Sequence, residues 1–185
     1  PLFPFVGFLF AGAIVSWDDF RDIVPATTIY SQRVDATGVA QWAPNGVAIS
    51  NGVINSRYNP ISVSDGAHGA IVAWQVGISP ASYDVHVQRV TSSGVIAPGW
   101  PADGVGPSTA VNDKLFPALA SDGAGGAILA WHIGVASLTH DVYAQRVSAS
   151  GAVQWGATGV VVSATTNDQR IPTVVSDGAN GAYIA

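Results

Sequence analysis

The amino-acid sequence predicts an all-β fold built from about three copies of one unit. Three observations lead to this prediction: short apolar runs broken by Gly, Asn, Asp and Pro, a hairpin motif that recurs along the chain, and the near-absence of Lys and Glu. Every acid is Asp, Glu is absent, and Lys114 is the only lysine. Because Glu and Lys favour helices whereas Asp favours turns, this choice argues against helical structure.

The hairpin motif reads Ser-Asp-Gly-Ala-Gly-Gly-Ala-Ile-Leu-Ala-Trp at 121–131. It occurs again at 64–74, begins once more at Ser176, and persists in eroded form at 11–17. An Asp-Gly pair between two apolar runs is a strong signal for a tight hairpin turn. The eroded copy has Phe8-Leu9 where the others have Asp-Gly, so the turn residues are missing there.

Two tryptophan series and one arginine series recur in step with the hairpin. Their members are Trp17, Trp74 and Trp131, spaced by 57 residues each, Arg33, Arg89 and Arg146 within Gln-Arg-Val segments, and Trp42, Trp100 and Trp155. All six tryptophans thereby fall at two repeat positions. A fixed period of this length predicts a repeat architecture in one domain spanning 1–185, with units at about 4–59, 60–116 and 117–171 and a partial unit at 172–185.

One unit reads as four short strands. In the copy that begins at Pro117 we expect Pro117–Ser121, Gly126–Trp131, Asp141–Val147 and a last strand around Ala152–Val162 that a turn interrupts. Four antiparallel strands in a period near 57 residues are typical of propeller blades, which usually take about 40–50 residues. The predicted fold class is therefore a β-propeller-like array of four-stranded antiparallel blades. Three copies do not close a ring, so we expect part of a larger propeller or of an oligomeric ring.

The pattern Ser-Asp-Gly-x-Gly-Gly-Ala-Ile-x-Ala-Trp, then Asp-Val-Tyr-Ala-Gln-Arg-Val and Gly-x-x-x-Trp, resembles repeats of large secreted bacterial proteins of the propeller type. The resemblance covers essentially the whole chain and implies a blade-built, secreted protein, but no particular activity. The first repeat departs from it at Phe8-Leu9. Repeats two and three lack the Asp and Arg that often follow the hairpin tryptophan, whereas Trp17-Asp18-Asp19-Phe20-Arg21 keeps a similar arrangement.

The composition narrows the classes of partner. A net charge of −5 and a pI near 5.0 argue against nucleic acid, which needs a basic face. No cysteine is present, so disulfides and thiolate chemistry are excluded. The uncharged stretch 1–15 is interrupted by Pro4, Gly7 and Gly12, and its register with 69–74 predicts a strand of the first repeat instead of a membrane span. Abundant Ser, Thr, Gly and Val with few Lys favour an extracellular or cell-surface location.

Residues that recur in every repeat are explained more simply by the fold than by a site. We expect the turn aspartates Asp65, Asp122 and Asp177 to accept backbone N–H groups, with calcium binding as the alternative. The arginines Arg33, Arg89 and Arg146 should pair with acids, the turn aspartate first, and ligand binding is the alternative. Because its repeat lacks that aspartate, Arg33 should use Asp18 or Asp19. The tryptophans Trp17, Trp74 and Trp131 should pack between blades, with sugar stacking as the alternative.

Residues that do not repeat are the better candidates for function. The segment after the first hairpin tryptophan holds the only dense charge cluster, Asp18, Asp19, Arg21 and Asp22. Loops of fixed length and free sequence on a rigid scaffold often carry binding residues. We therefore name Asp18, Asp19 and Arg21 as candidate ligand-binding residues. Trp100 and Trp155 are further candidates for sugar stacking, because they neighbour turns and should be partly exposed.

The sequence carries no motif of a known enzyme class and no cofactor motif. His132 and His140 flank one loop and could meet, so a metal pair there is an alternative to the expectation of no metal site. The leading hypothesis is a non-catalytic extracellular propeller segment that acts as a structural or interaction module with a protein or glycan partner. The alternatives are a lectin-like propeller, a fragment of an extracellular hydrolase, and a protein that self-assembles through open strand edges.

Overall fold

The computed structural model describes residues 12–21, 26–51, 55–79, 82–135 and 139–185. Within these ranges the protein consists of β-strands and their connections. The strands are β1 Gly12–Asp19, β2 Thr28–Asp35, β3 Val47–Ala48, β4 Arg57–Ser64, β5 Ala70–Ser79, β6 Ser82–Val90, β7 Lys114–Ser121, β8 Ala127–Val135, β9 Thr139–Val147, β10 Val160–Ser163, β11 Val174–Ser176 and β12 Ala182–Ile184. None of the described segments is a helix that could cross a membrane.

The strands pair into four antiparallel sheets that follow one another along the chain. The first has the order β1-β2-β3, the second β4-β5-β6, the third β10-β9-β8-β7, and the fourth contains β11 and β12. Every pairing is antiparallel, and each sheet is assembled from consecutive hairpins. The prediction of an all-β fold is confirmed.

The observed strands differ from the predicted ones where proline was placed at a strand start. Pro117 lies inside β7, which begins three residues earlier at Lys114, and the register of β7 against β8 shifts between Leu115 and Ala118. A β-bulge accommodates a proline because the extra residue leaves the ladder of hydrogen bonds. The predicted last strand is also shorter, since only Val160–Ser163 forms β10 and Val153 makes an isolated bridge to Val147.

The hydrophobic core lies between successive sheets. One cluster joins the first and second sheets and contains Ile29, Ile49, Val72, Trp74 and Val76. A second cluster joins the second and third sheets and contains Ile71, Val85, Val87, Leu129, Trp131 and Ile133. The strands β5 and β8 are therefore buried on both faces, as their continuous apolar sequences predict.

The Ser-Asp-Gly turns are held by their own aspartates. Asp122 Oδ1 accepts the backbone N–H groups of Ala124 and Gly126, each at 2.8 Å. The same pair of bonds occurs in the turns built around Asp65 and Asp177. An aspartate that satisfies two N–H groups fixes the turn from within, which is the role that the sequence predicts for these residues.

The second oxygen of two of these carboxylates binds an arginine of the same sheet. Arg146 Nε and Nη2 both lie 2.9 Å from Asp122 Oδ2, and Arg89 Nε and Nη2 lie 3.0 and 2.9 Å from Asp65 Oδ2. Both aspartate side chains are 1% exposed. The turn and the third strand of a sheet are thereby tied together, and each carboxylate is saturated by donors. These two aspartates have no oxygen left for calcium.

Candidate functional site

A cleft lies where three sheets meet at the ends of their strands. Its volume is about 450 Å³. We call it the three-repeat cleft, and it is lined by Asp18 of β1, Tyr58 and Asn59 of β4, Gln75 of β5, Tyr83 of β6, and Leu115 and Phe116 of β7. Aromatic rings, amides and one carboxylate thus converge on one concavity from three sheets. These sheets belong to three repeats, because β4 and β7 begin at Arg57 and Lys114, before the predicted unit starts at 60 and 117. Such a combination is typical of small-molecule sites.

Two β-bulges aim residues into the cleft. Asn59 and Phe116 each precede a proline and have positive φ angles of 53° and 50°, and the register of β4 shifts between Tyr58 and Ile61 as that of β7 does at Leu115. A left-handed conformation costs a residue with a side chain about 1–2 kcal/mol. Ile171, which precedes Pro172, has a φ of 55°, so this conformation recurs with the repeat and belongs to its fold.

The polar groups of the cleft differ in how many hydrogen bonds they already make within the protein. Asn59 Nδ2 donates to Gln75 Oε1 at 3.2 Å, and Gln75 is buried. Among the described residues, nothing donates a hydrogen bond to the Asp18 carboxylate. The rings of Tyr58 and Phe116 are 36% and 48% exposed. Within the described ranges, the cleft therefore offers a ligand the Asp18 carboxylate as an acceptor and the exposed aromatic side chains of Tyr58 and Phe116.

A buried lysine holds the strands beneath the cleft. The Nζ of Lys114 donates to the carbonyl oxygen of Ala110 at 2.7 Å and lies 3.1 Å from Asp84 Oδ1, while the residue is 3% exposed. The backbone N–H of Tyr83 donates to Asp113 Oδ1 at 2.9 Å. These contacts join β6 to the start of β7 and fix the spacing of Tyr83 and the bulge. Apart from the rarity of lysine, these contacts have no signal in the sequence.

His132 supports the floor of the cleft from below. Its ring stacks on Phe116 with centroids 5.3 Å apart and meets His140 edge-on at 4.9 Å. The backbone N–H of Ile171 donates to His132 Nδ1 at 3.2 Å, so that nitrogen carries no proton and the neutral ring is protonated on Nε2. Burial, with the neighbouring His140, lowers the pKa of His132 to about 4. The side chain is an uncharged stacking partner at neutral pH.

The predicted meeting of His132 and His140 is confirmed, but His140 is engaged elsewhere. Its Nδ1 lies 2.8 Å from Asp168 Oδ1, and Arg170 Nε donates to the other oxygen of Asp168 at 2.6 Å. The bond from Arg170, with that from His140, holds the pKa of Asp168 below its usual value. Across the described ranges no group of three or more His, Cys, Asp or Glu residues could hold a metal ion.

The predicted charge cluster divides between two roles. Asp18 faces the cleft, whereas Asp19 accepts bonds from Arg21 Nε at 2.9 Å and from Trp17 Nε1 at 2.7 Å. The bond from the Arg21 side chain, with its backbone N–H and the Trp17 indole, holds the pKa of Asp19 far below its usual value. Arg21 also stacks on Tyr30, 4.0 Å from the ring centroid. Asp19 and Arg21 therefore build the loop, and Asp22 lies outside the described residues.

Arg33 does not use the acids that the sequence suggested. Asp19 is occupied by Arg21, and Arg33 makes no ion pair within the described part of the chain. The expectation of a pair with Asp18 or Asp19 is therefore wrong. The reason is position: Arg33 lies opposite Ile14 in the sheet, whereas Asp18 and Asp19 lie at the other end of β1.

The second tryptophan series joins successive repeats. Trp42 Nε1 donates to the carbonyl oxygen of Ser92 at 2.9 Å, and Trp100 Nε1 donates to that of Ala149 at 3.0 Å. Trp100 is 6% exposed, so the expectation that it is partly exposed and free to stack on a sugar is wrong. Trp155 is half-buried at the corresponding position. The turn of the next repeat covers Trp100, a contact that the local sequence does not encode.

Comparison with known proteins adds little. No protein-family model matches the sequence, and no curated protein matches it. Among solved structures, the chain is similar to the alpha-L-arabinofuranosidase Arb93A from Fusarium graminearum in complex with an iminosugar inhibitor, with 12% sequence identity and a TM-score of 0.45. The match covers 86% of this chain and 49% of that chain, so the present chain spans about half the length of that structure. A likeness at this level carries no argument about activity.

Proposed function

We propose that this chain is a non-catalytic, secreted segment of a β-propeller-type array and that it binds a carbohydrate in the three-repeat cleft. One observation carries the proposal: the exposed side chains of Tyr58 and Phe116 converge on one cleft with the carboxylate of Asp18 and the amides of Asn59 and Gln75. Exposed aromatic side chains and a few convergent polar groups in one concavity favour a binding role.

The chemistry of the lining suits a sugar. The C–H faces of a pyranose stack on exposed aromatic rings, which Tyr58 and Phe116 provide. Sugar hydroxyls both donate and accept, and they would find the carboxylate of Asp18 and the amides of Asn59 and Gln75. This set replaces the pair Trp100 and Trp155 as the carbohydrate site.

The same lining favours binding over hydrolysis. Most glycosidases use two carboxyl groups, about 5–10 Å apart, on either side of the scissile bond. Among the described residues that line the cleft, Asp18 is the only acid. The proposal therefore assigns the site a binding role, and release of reducing sugar by the protein would instead support the hydrolase alternative.

The joints between sheets support the array part of the proposal. Trp42 and Trp100 each donate to the turn of the following repeat, and Trp155 stands in the same position of the third repeat. On the last three strands, β10, β11 and β12, the side chains of Val161, Val175 and Tyr183 are 54%, 60% and 70% exposed. We propose that this face packs against another repeat of the same type, in a longer propeller or an oligomeric ring.

A glycan array followed by calorimetry tests the carbohydrate site. We expect one class of neutral oligosaccharide to bind the wild type, and Phe116→Ala to weaken that binding by about tenfold, the loss of one stacked ring. Ile171→Ala is the matched control, because Ile171 occupies the same repeat position with φ of 55° but does not line the cleft. Silence across the array, or an equal loss in Ile171→Ala, would overturn the proposal.

A further inference from the structure

The three-repeat cleft carries one charge, and that charge is negative. Of the described residues that line the cleft, Asp18 is the only acid, and no basic residue stands beside it. Asp18 is half-buried, and no described residue donates a hydrogen bond to its carboxylate. Gln75 and His132 occupy the same position in the second and third repeats, directly after the hairpin tryptophan. The first repeat therefore places a carboxylate where the second places a neutral amide.

The two cations next to the lining are already paired. Arg57 and Lys114 each come directly before a lining residue on their strand. Arg57 Nη2 lies 2.5 Å from Asp103 Oδ2, Lys114 Nζ lies 3.1 Å from Asp84 Oδ1, and both cationic side chains are 3% exposed. Successive side chains of a strand point to opposite faces, so these ion pairs lie behind the lining. They leave the charge of Asp18 to be balanced by a ligand.

Aromatic rings share the cleft with this carboxylate. Tyr58, Tyr83 and Phe116 line the same concavity, and the side chains of Tyr58 and Phe116 are exposed. The face of an aromatic ring is electron-rich and attracts an ammonium group, whereas it repels an anion. The carboxylate and the rings therefore favour the same kind of ligand group, which is a cation.

We propose that the three-repeat cleft prefers a sugar that carries a protonated amino group, and that Asp18 binds this group. This inference rests on the proposed carbohydrate site and names its preferred class of ligand. A neutral sugar binds through its C–H faces and hydroxyl groups, and an ammonium group in place of one hydroxyl adds an ion pair with Asp18. A sugar acid is disfavoured, because its carboxylate meets Asp18 without a cation in the described lining to offset the repulsion.

Three monosaccharides that differ in one substituent test this preference: glucosamine, N-acetylglucosamine and glucose. In NMR titrations at slightly acidic pH, where the amine of glucosamine is protonated, we expect glucosamine to bind about fivefold more tightly than either neutral sugar. Added salt should reduce this gain, because it screens the ion pair. Glucuronate should bind more weakly than glucose.

The failure of this inference can be told apart from the failure of the carbohydrate site. Equal affinities for glucosamine and N-acetylglucosamine would overturn the charge preference and leave the carbohydrate site in place. Absence of glucosamine binding would also overturn the preference, and the glycan array with Phe116→Ala decides separately whether the cleft binds a sugar at all.

Asp18→Asn and Asp141→Asn form a matched pair of variants. Each removes one negative charge at nearly constant size, and Asp141 on β9 is likewise half-buried, accepts no hydrogen bond from a described residue, and does not line the cleft. Asp18→Asn should lower the affinity for glucosamine to that for N-acetylglucosamine and leave the latter unchanged, since an amide oxygen still accepts from a hydroxyl. Asp141→Asn should keep the fivefold gain. A gain that survives in Asp18→Asn, or falls equally in both variants, would refute the role of Asp18.

Discussion

The first and third repeats place the same tryptophan in different chemical surroundings. Trp17 is half-buried and donates its indole N–H to Asp19, whereas Trp131 is fully buried and its Nε1 has no partner among the described residues. The residue two positions later decides this, because it is Asp19 in the first repeat and Ile133 in the third. An unmet buried N–H costs about 1–3 kcal/mol.

Burial of the ring outweighs that cost. A tryptophan buries about 150–250 Å², which at about 25 cal/mol per Å² stabilises the fold by about 4–6 kcal/mol. Trp74 shows the same unpartnered nitrogen as Trp131, with Val76 in the deciding position. In the second and third repeats the hairpin tryptophan therefore packs in an apolar joint between sheets. The first repeat has one neighbouring sheet among the described residues, and there the tryptophan donates to a carboxylate instead.

We expect the largest difference in stability between the first and third repeats when the arginine of each repeat is removed. Arg146→Ala leaves Asp122, 1% exposed, without its cation, and we expect a loss of about 3 kcal/mol in the free energy of unfolding. Arg33→Ala should cost less than about 1 kcal/mol, because Arg33 makes no ion pair within the described ranges. Urea unfolding measures both. Equal losses would mean that the first repeat holds Arg33 as tightly as the third holds Arg146.

The residue after the hairpin tryptophan provides a second comparison, which concerns how the free energy of unfolding depends on pH. It is Gln75 in the second repeat and His132 in the third. The pKa of His132 is about 4 when folded, below the usual 6.5, so the unfolded chain binds more protons between these values. Stability should therefore fall as the pH drops from about 6.5 and level off below about 4. By pH 5 the loss is about 2 kcal/mol.

His132→Gln is the matched variant, because it installs the residue of the second repeat. Asp168, Arg170 and His140 remain in place, so their own titration is common to both proteins. We expect the difference in unfolding free energy between wild type and variant to shrink by about 2 kcal/mol from pH 8 to pH 5. A difference that is constant across this range would show that the pKa of His132 is the same in the folded and the unfolded protein.

The sequence predicted the contacts of residues that recur in every repeat, and it did not predict the cleft, whose residue types do not recur. The Asp122 turn and its pair with Arg146 were accessible because their residue types recur with the period and have one obvious electrostatic partner. The three-repeat cleft was not accessible. Tyr58, Asn59 and Phe116 do not repeat, and they converge only because two bulges bend strands of different sheets. Their one visible signal is that Asn59 and Phe116 stand before the repeated proline.

Burial of the second tryptophan series also depends on distant sequence. The neighbourhood of Trp100 contains Pro, Gly and Asp, which is typical of an exposed turn, yet the ring is covered by Gly151, some fifty residues later. A contact between repeats follows from how sheets stack, and a single unit read alone does not reveal it. The same limit applies to Lys114, whose acceptors come from the preceding loop and from β6.

The smallest expected effect on stability separates the cost of displacing the Trp42 indole from the cost of the backbone conformation of the turn. Gly38 and Gly94 occupy the same turn position, with φ of 82° and 80°. A Cβ at Gly94 would lie 2.8 Å from Cγ of Trp42, whereas a Cβ at Gly38 would meet nothing within 4 Å. Gly38→Ala should therefore cost only the left-handed conformation, about 1 kcal/mol. Gly94→Ala should cost about 1 kcal/mol more, since it also displaces the indole that donates to Ser92. Thermal unfolding with tryptophan fluorescence measures both, and an equal cost would show that Trp42 does not hold the two repeats together.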